Sequence, residues 1–139
     1  MKNETVTTNS IDLAFDSLNS CTAYIDHINT LIYRLIDEYQ AGDSNKANQT
    51  FIEVIELLDL YVQLMTKIYS SLRFHFKDKL FKDDSVQSLE IHLLSVMKAL
   101  LPAKEKGDVI MLCDLLEYEL IDNLTQWKIK VIPELKKLK

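Results

Sequence analysis

Apolar residues recur along the first third of the chain at alternating intervals of three and four positions. This spacing places them on one side of an α-helix, which turns once every 3.6 residues. The pattern runs from Ile11 to Tyr39 and stops before Gly42, a residue suited to the left-handed conformation that closes a helix. It predicts one long first helix with these inward positions: Ile11, Ala14, Leu18, Cys21, Ile25, Ile28, Ile32, Leu35 and Tyr39.

The same spacing restarts directly after Gly42 and predicts a second long helix. Asp43 or Ser44 can cap this helix by accepting a hydrogen bond from a backbone N–H group. Because the connection is so short, the two helices are expected to form an antiparallel hairpin. The predicted inward positions are Ala47, Phe51, Val54, Leu58, Tyr61, Met65, Ile68 and Leu72.

A second hairpin is predicted beyond residues 73–85, which interrupt the rhythm and are interpreted as the end of helix two plus a crossover. Asp84 or Ser85 is expected to cap helix three, and Pro102 is expected to kink or end it. The inward positions of this helix are Leu89, Leu93, Val96 and Leu100.

The last turn repeats the chemistry of the first, because Gly107 and Asp108 form the second Gly-Asp pair of the chain. Helix four is predicted from about residue 109 to residue 130, with Pro133 marking its end or a kink. Its inward positions are Leu112, Leu116, Leu120, Leu124, Trp127 and Val131.

These patterns predict an all-α fold, an antiparallel four-helix bundle made of two αα-hairpins. Two glycines and two prolines among 139 residues leave few sites for the tight turns of a hairpin-rich β fold. Residues 1–10 are polar and lack apolar periodicity, so we expect a mobile N-terminal tail before a single domain at 11–139.

The charge balance bears on location and partners. Sixteen Lys and Arg residues against twenty-one Asp and Glu residues give a formal charge of −5, which disfavours nucleic acid as a partner. The polar N-terminus has no signal-peptide pattern, and no apolar run reaches the length of a membrane span. We therefore expect a cytoplasmic protein without integral membrane contact.

No cofactor or metal is predicted from the candidate chemistry. The Glu-x-x-His motif of di-iron helical bundles is absent, and His27, His75 and His92 lack a second histidine at helical spacing. Cys21 and Cys113 are interpreted as buried thiols in a reducing compartment.

One enzymatic alternative is a metal-dependent site built from His92 or His27 and the acidic residues of helix four. We favour a solvated acidic face for these residues, which are Asp114, Glu117, Glu119 and Asp122.

Two basic segments leave a further alternative open. Residues 73–82 interleave cations with aromatic residues, and five lysines lie between Lys128 and Lys139. Either segment could attach to an anionic surface or a single-stranded nucleic acid. We favour packing of the aromatic residues under lysine stems for the first, and helix-dipole complementarity for the second.

The first two helices carry more apolar surface than a four-helix core needs. This excess predicts a groove for a partner helix or a homodimer face. The proposed anchors are Phe15, Tyr24, Leu31, Val62 and Tyr69.

The order of parts resembles the flagellar export chaperones. The resemblance rests on the turn Ala41-Gly42-Asp43, the turn Lys106-Gly107-Asp108, and Leu112, Leu116 and Trp127 in the helix that follows. The segment 107–120 also resembles uncharacterised bacterial helical-bundle proteins. The likeness implies a cytosolic, non-catalytic chaperone or adaptor that shields a helical segment of an export substrate.

Overall fold

The chain is all-helical throughout the part that the structure describes. The computed structural model describes the backbone of residues 2–76 and 84–139, and the side chains of residues 10–76 and 86–139. Four helices follow one another: α1 (Lys2–Gln40), α2 (Ser44–His75), α3 (Asp84–Glu105) and α4 (109–136). The all-α prediction is confirmed at this level.

Helix α1 begins earlier than expected. The sequence predicted a start near Ile11, whereas the helix begins at Lys2. No Gly or Pro interrupts residues 2–10, and adding residues to an existing helix costs far less than starting a new one. The predicted mobility of residues 1–10 stays a prediction.

The turn between α1 and α2 is formed as the sequence indicated. Gly42 has φ +75°, and its N–H group donates to the carbonyl oxygen of Tyr39. The side chain of Asp43 accepts a hydrogen bond from the backbone N–H of Lys46 at 3.2 Å. The turn after α3 repeats both features at Gly107, with φ +68°, and at Asp108, which accepts from the N–H of Met111.

Pro102 does not end α3, which continues to Glu105. The helix begins at Asp84, so the residue that would cap it lies outside the described residues, as do residues 77–83 of the predicted crossover. The prediction that Asp84 or Ser85 precedes the helix as its cap is therefore wrong, because both residues lie inside α3.

Helix α4 contains two π-helical segments. Its parts are Val109–Asp114, the π segment Leu115–Leu120, Ile121–Gln126, the π segment Trp127–Val131, and Ile132–Lys136. Pro133 does not end the helix, which continues through it to Lys136.

The π segments explain how the inward residues of α4 remain buried. Leu112, Leu116, Leu120 and Leu124 recur every four residues, a spacing that would drift around a regular α-helix. A π turn contains more residues than an α turn and reduces this drift. All four leucines are at most 1% exposed.

One apolar core joins all four helices. Contacts between α1 and α2 occur in reverse sequence order: Ser10 with Ser71, Cys21 with Met65, and Arg34 with Glu53. Helix α1 also contacts α4, where Lys128 donates to Asp26 at 2.6 Å. Among the described residues, α3 contacts α4 much more extensively than it contacts α2.

The two glycine turns provide a test of backbone strain. A Cβ atom added at Gly42 or Gly107 would meet no atom within 4 Å, so the cost of alanine there comes from the positive φ angle. We expect Gly42→Ala and Gly107→Ala each to lower the free energy of unfolding by about 1–2 kcal/mol. Urea unfolding followed by circular dichroism measures this loss, and asparagine at the same positions should cost less. Unchanged unfolding midpoints for both alanine variants would contradict it.

Candidate functional site

Two of the five proposed anchor residues belong to the core. Phe15 is 4% exposed and Leu31 is 5% exposed. The ring of Phe15 packs edge-on against Phe76, and the Lys139 ammonium lies 5.7 Å from its centroid. The expectation that these two residues form an exposed second face on α1 is therefore wrong. Helix α1 packs against α2 and α4 at once, so its buried arc is wider than one stripe.

Tyr24 lies in the contact between α1 and α2. Its hydroxyl donates to the carbonyl oxygen of Leu57 at 3.3 Å, and its ring stacks on Tyr61 with centroids 6.3 Å apart. Burial raises the pKa of the Tyr24 hydroxyl. Tyr24 is thus half-buried and engaged within the chain.

Val62 and Tyr69 lie apart from these three, on the side of α2 that faces α3. Both are partly buried, and both line a cavity of about 120 Å³ between α2, α3 and α4. Trp127, which is 2% exposed, contributes to its wall, and Glu90 and Leu93 line it from α3. Ligand pockets commonly have volumes of about 300–1,000 Å³, so this cavity is on the scale of one side chain.

Apolar residues continue along this side of both helices. Ile55, Val62 and Tyr69 recur every seven residues on α2, and Ile52 lies one turn before them. On α3, Leu94 lies one turn after the cavity residue Glu90 and shares its side of the helix, together with Ile91 and Leu101. We define the α2–α3 face by the apolar residues Ile52, Ile55, Val62, Tyr69, Ile91, Leu94 and Leu101.

Four large aliphatic side chains of the α2–α3 face are exposed to solvent. Ile52 is 57% exposed, Ile91 60%, Leu94 39% and Leu101 51%. The sequence analysis missed the α3 residues because it followed only the inward stripe of that helix. The signal was present in the i, i+3 and i+10 spacing of Ile91, Leu94 and Leu101, beside that stripe.

A polar network joins α3 to α4 on the side of α3 that lies away from the α2–α3 face. The Nε2 atom of His92 lies 2.7 Å from Oε2 of Glu119, and its Nδ1 atom lies 2.9 Å from Nδ2 of Asn123. The same amide nitrogen donates to the carbonyl oxygen of Leu89 at 3.0 Å. Because an amide nitrogen only donates, Nδ1 of His92 accepts and Nε2–H donates to Glu119. Asn123 is 1% exposed, so this network fixes α3 against α4 from within.

Both ring nitrogens of His92 are engaged in this network. Among the described residues, no group of three or more His, Cys, Asp and Glu side chains could hold a metal ion. Burial raises the pKa of the Cys21 thiol to about 11, and its Sγ lies 4.0 Å from Sδ of Met65. Burial and the charges of Asp114 and Glu117 also raise the pKa of Cys113. Both thiols are therefore weak nucleophiles at neutral pH.

Several residues of the basic segments make contacts within the chain. Lys128 pairs with Asp26, Lys137 pairs with Glu134 at 3.0 Å, and Lys139 lies over Phe15. Of the other basic segment, residues 77–82 lie outside the described residues.

Comparison with known proteins gives one family. Residues 16–130 match the model of a family whose description is Domain of unknown function (DUF8042), and the matched segment includes part or all of each helix. Neither the curated proteins nor the solved structures give a match. In the described part of the chain, no helix has the length and apolar character needed to cross a membrane.

The difference between the core and the α2–α3 face can be measured with one substitution at two positions. We expect Leu31→Ala to lower the free energy of unfolding by about 2–5 kcal/mol, because it leaves a cavity in the core. The same change at Leu101, which is half exposed, should cost less than about 1 kcal/mol. Chemical unfolding of both variants tests this difference, and equal losses would contradict the assignment of Leu31 to the core.

The polar network gives a second stability test. Asn123→Ala removes the donor to His92 and Leu89, and we expect a loss of about 1–3 kcal/mol in the free energy of unfolding. Asn19→Ala, on the exposed side of α1, is the matched control and should change stability by less than about 0.5 kcal/mol. If the two variants unfold at the same urea concentration, the network does not stabilise the contact between α3 and α4.

Proposed function

Because the chain belongs to the DUF8042 family, whose description assigns no function, we propose on its geometry that it is a non-catalytic protein-interaction module that binds through the α2–α3 face. The observation that carries this proposal is the row of large aliphatic residues, 39–60% exposed, along two neighbouring helices. Surface apolar residues scattered singly need no explanation, whereas a contiguous row is typical of an interaction site.

We also infer that the four helices form an antiparallel bundle of two αα-hairpins. The reverse order of contacts between α1 and α2 supports this arrangement. Between α3 and α4, Leu89 and His92 contact Asn123 and Glu119 in the same reversed sense. Between α1 and α4, Phe15 contacts Lys139 and Asp26 contacts Lys128. In such a bundle α2 and α3 are neighbours, and their outer sides form one continuous face.

Burial of the α2–α3 face provides the driving force for association. Each Å² of apolar surface removed from water contributes about 25 cal/mol, from which the cost of ordering the partner is subtracted. The side-chain-sized cavity beside Val62 and Tyr69 suits one anchoring side chain within a larger contact.

The resemblance to flagellar export chaperones bears on the kind of partner. It would make the partner a helical segment of an export substrate in the cytoplasm, held in the groove between α2 and α3. The alternative is a homodimer with a structural role, which uses the same face.

Site-specific photocrosslinking in living cells tests the proposed function. A photoreactive amino acid at Leu94 or Leu101 should form discrete covalent adducts, because both positions would lie in the contact. Ile129, which is 56% exposed on α4, is the matched control position and should form none. Adding Val62→Asp, at a partly buried position of the face, should remove the adducts while circular dichroism still shows a folded helical protein.

The adducts are identified by mass spectrometry, which separates a second copy of this chain from a different protein. Equal crosslinking from Leu94, Leu101 and Ile129, or none from the first two, would contradict an interaction through the α2–α3 face.

A further inference from the structure

We propose that the α2–α3 face is covered by a second copy of this chain, related to the first by a two-fold axis parallel to α2 and α3. This inference rests on the proposed function, because it names the occupant of the same face. It is argued from the charges along the edges of the face and from the levels of its apolar residues.

Opposite charges border the face at one level. Asp59 lies one turn after Ile55 on α2, and Lys98 lies one turn after Leu94 on α3, so both share the exposed side. Both side chains are exposed, and neither forms an ion pair within the described part of the chain. They are available to a partner.

The level of a residue is its position along the helix axis, and it can be measured from one contact between α2 and α3. The ammonium of Lys104 lies 5.7 Å from the ring centroid of Phe51. Asp59 is eight residues beyond Phe51, and Lys98 is six residues before Lys104. At 1.5 Å per residue, these positions lie about 12 Å and 9 Å from the contact, so they are nearly level.

This pattern is self-complementary under the proposed symmetry. A two-fold axis parallel to the helices places α2 of one subunit over α3 of the other without changing the level of any residue. Asp59 then meets Lys98 of the partner subunit. This pair occurs twice, which gives two attractive contacts.

The apolar residues match under the same operation. Val62 lies eleven residues beyond Phe51 and Leu94 lies ten before Lys104, so Val62 would pack against Leu94 of the partner subunit. Ile55 and Leu101 lie four and three residues from the same contact, and they would meet in the same way. Four of the seven apolar residues of the face are then paired across the contact.

A two-fold axis perpendicular to the helices would instead place α2 against α2 of the partner subunit, so Asp59 would not meet Lys98.

Sedimentation equilibrium over a concentration series tests the proposal with the full-length chain. We expect the wild type to approach twice its chain mass of 16.1 kDa. Asp59→Lys and Lys98→Glu should each weaken self-association by about tenfold or more, because each brings like charges together at two symmetric contacts. Glu117→Lys, on α4, changes the charge by the same amount as Asp59→Lys but lies outside the face. It should leave self-association unchanged.

Mixing the two variants is the sharper experiment. In a mixed dimer, opposite charges again meet at both contacts. One contact joins the unchanged Asp59 and Lys98, and the other joins the two substituted side chains, whose charges are both reversed. We expect the mixture to form heterodimers with about the affinity of the wild type. A contact within one chain, or the perpendicular axis, would give no rescue on mixing.

Three results would overturn the proposal: a monomer at every concentration, a dimer insensitive to both charge reversals, or no rescue in the mixture. These outcomes are separable from failure of the proposed function. A monomer that still crosslinks from Leu94 to a different protein keeps the interaction module but removes the second copy as its occupant.

Discussion

Burial of the apolar surface of α1 is the constraint on which the rest of the structure depends. This helix contacts α2 along one side and every segment of α4 along the other, and its inward residues from Ala14 to Ile36 lie in the core. A helix that packs between two neighbours must bury a wide arc, which explains why Phe15, Leu31 and Ile36 are buried with the regular stripe. These three additional apolar residues of α1 therefore stabilise the fold.

The position of α3 depends on α4. The leucines of α4 recur every four residues, and the π segments keep them directed into the core. The segment Leu115–Leu120 contains Glu119, and Asn123 follows within one turn, so both reach His92 of α3. The buried amide nitrogen of Asn123 donates to two acceptors, on Leu89 and His92. Moving this side chain is costly, because both hydrogen bonds would be lost where water cannot replace them. The network thus orients α3 and, with it, the residues that α3 contributes to the α2–α3 face.

In the described part of the chain, α2 and α3 contact each other less extensively than α1 contacts α2 or α3 contacts α4. Helix α2 contacts α1 closely and reaches Trp127 of α4 through Tyr61, whose ring meets the indole edge-on at 6.0 Å. Its contact with α3 is smaller, and the side-chain-sized cavity lies along that seam. Val62 and Tyr69 remain partly buried for this reason, and the aliphatic residues of α3 beside them remain exposed. Incomplete packing between α2 and α3 and the exposure of the apolar face are thus two aspects of the same arrangement.

The helices and the turns between them could largely be predicted from the sequence alone. The three-four spacing of apolar residues, the two glycines and the caps at Asp43 and Asp108 depend on nearby residues, and each has a local energetic signature. The tertiary structure decided which side of each helix is covered, because burial depends on residues distant in the chain. Phe15 and Val62 look alike as extra apolar positions in the sequence, yet one is enclosed by α2 and α4 and the other borders the loose seam with α3. The pairing of His92 with Asn123 was equally invisible, since neither side chain has a signal until α3 and α4 lie side by side.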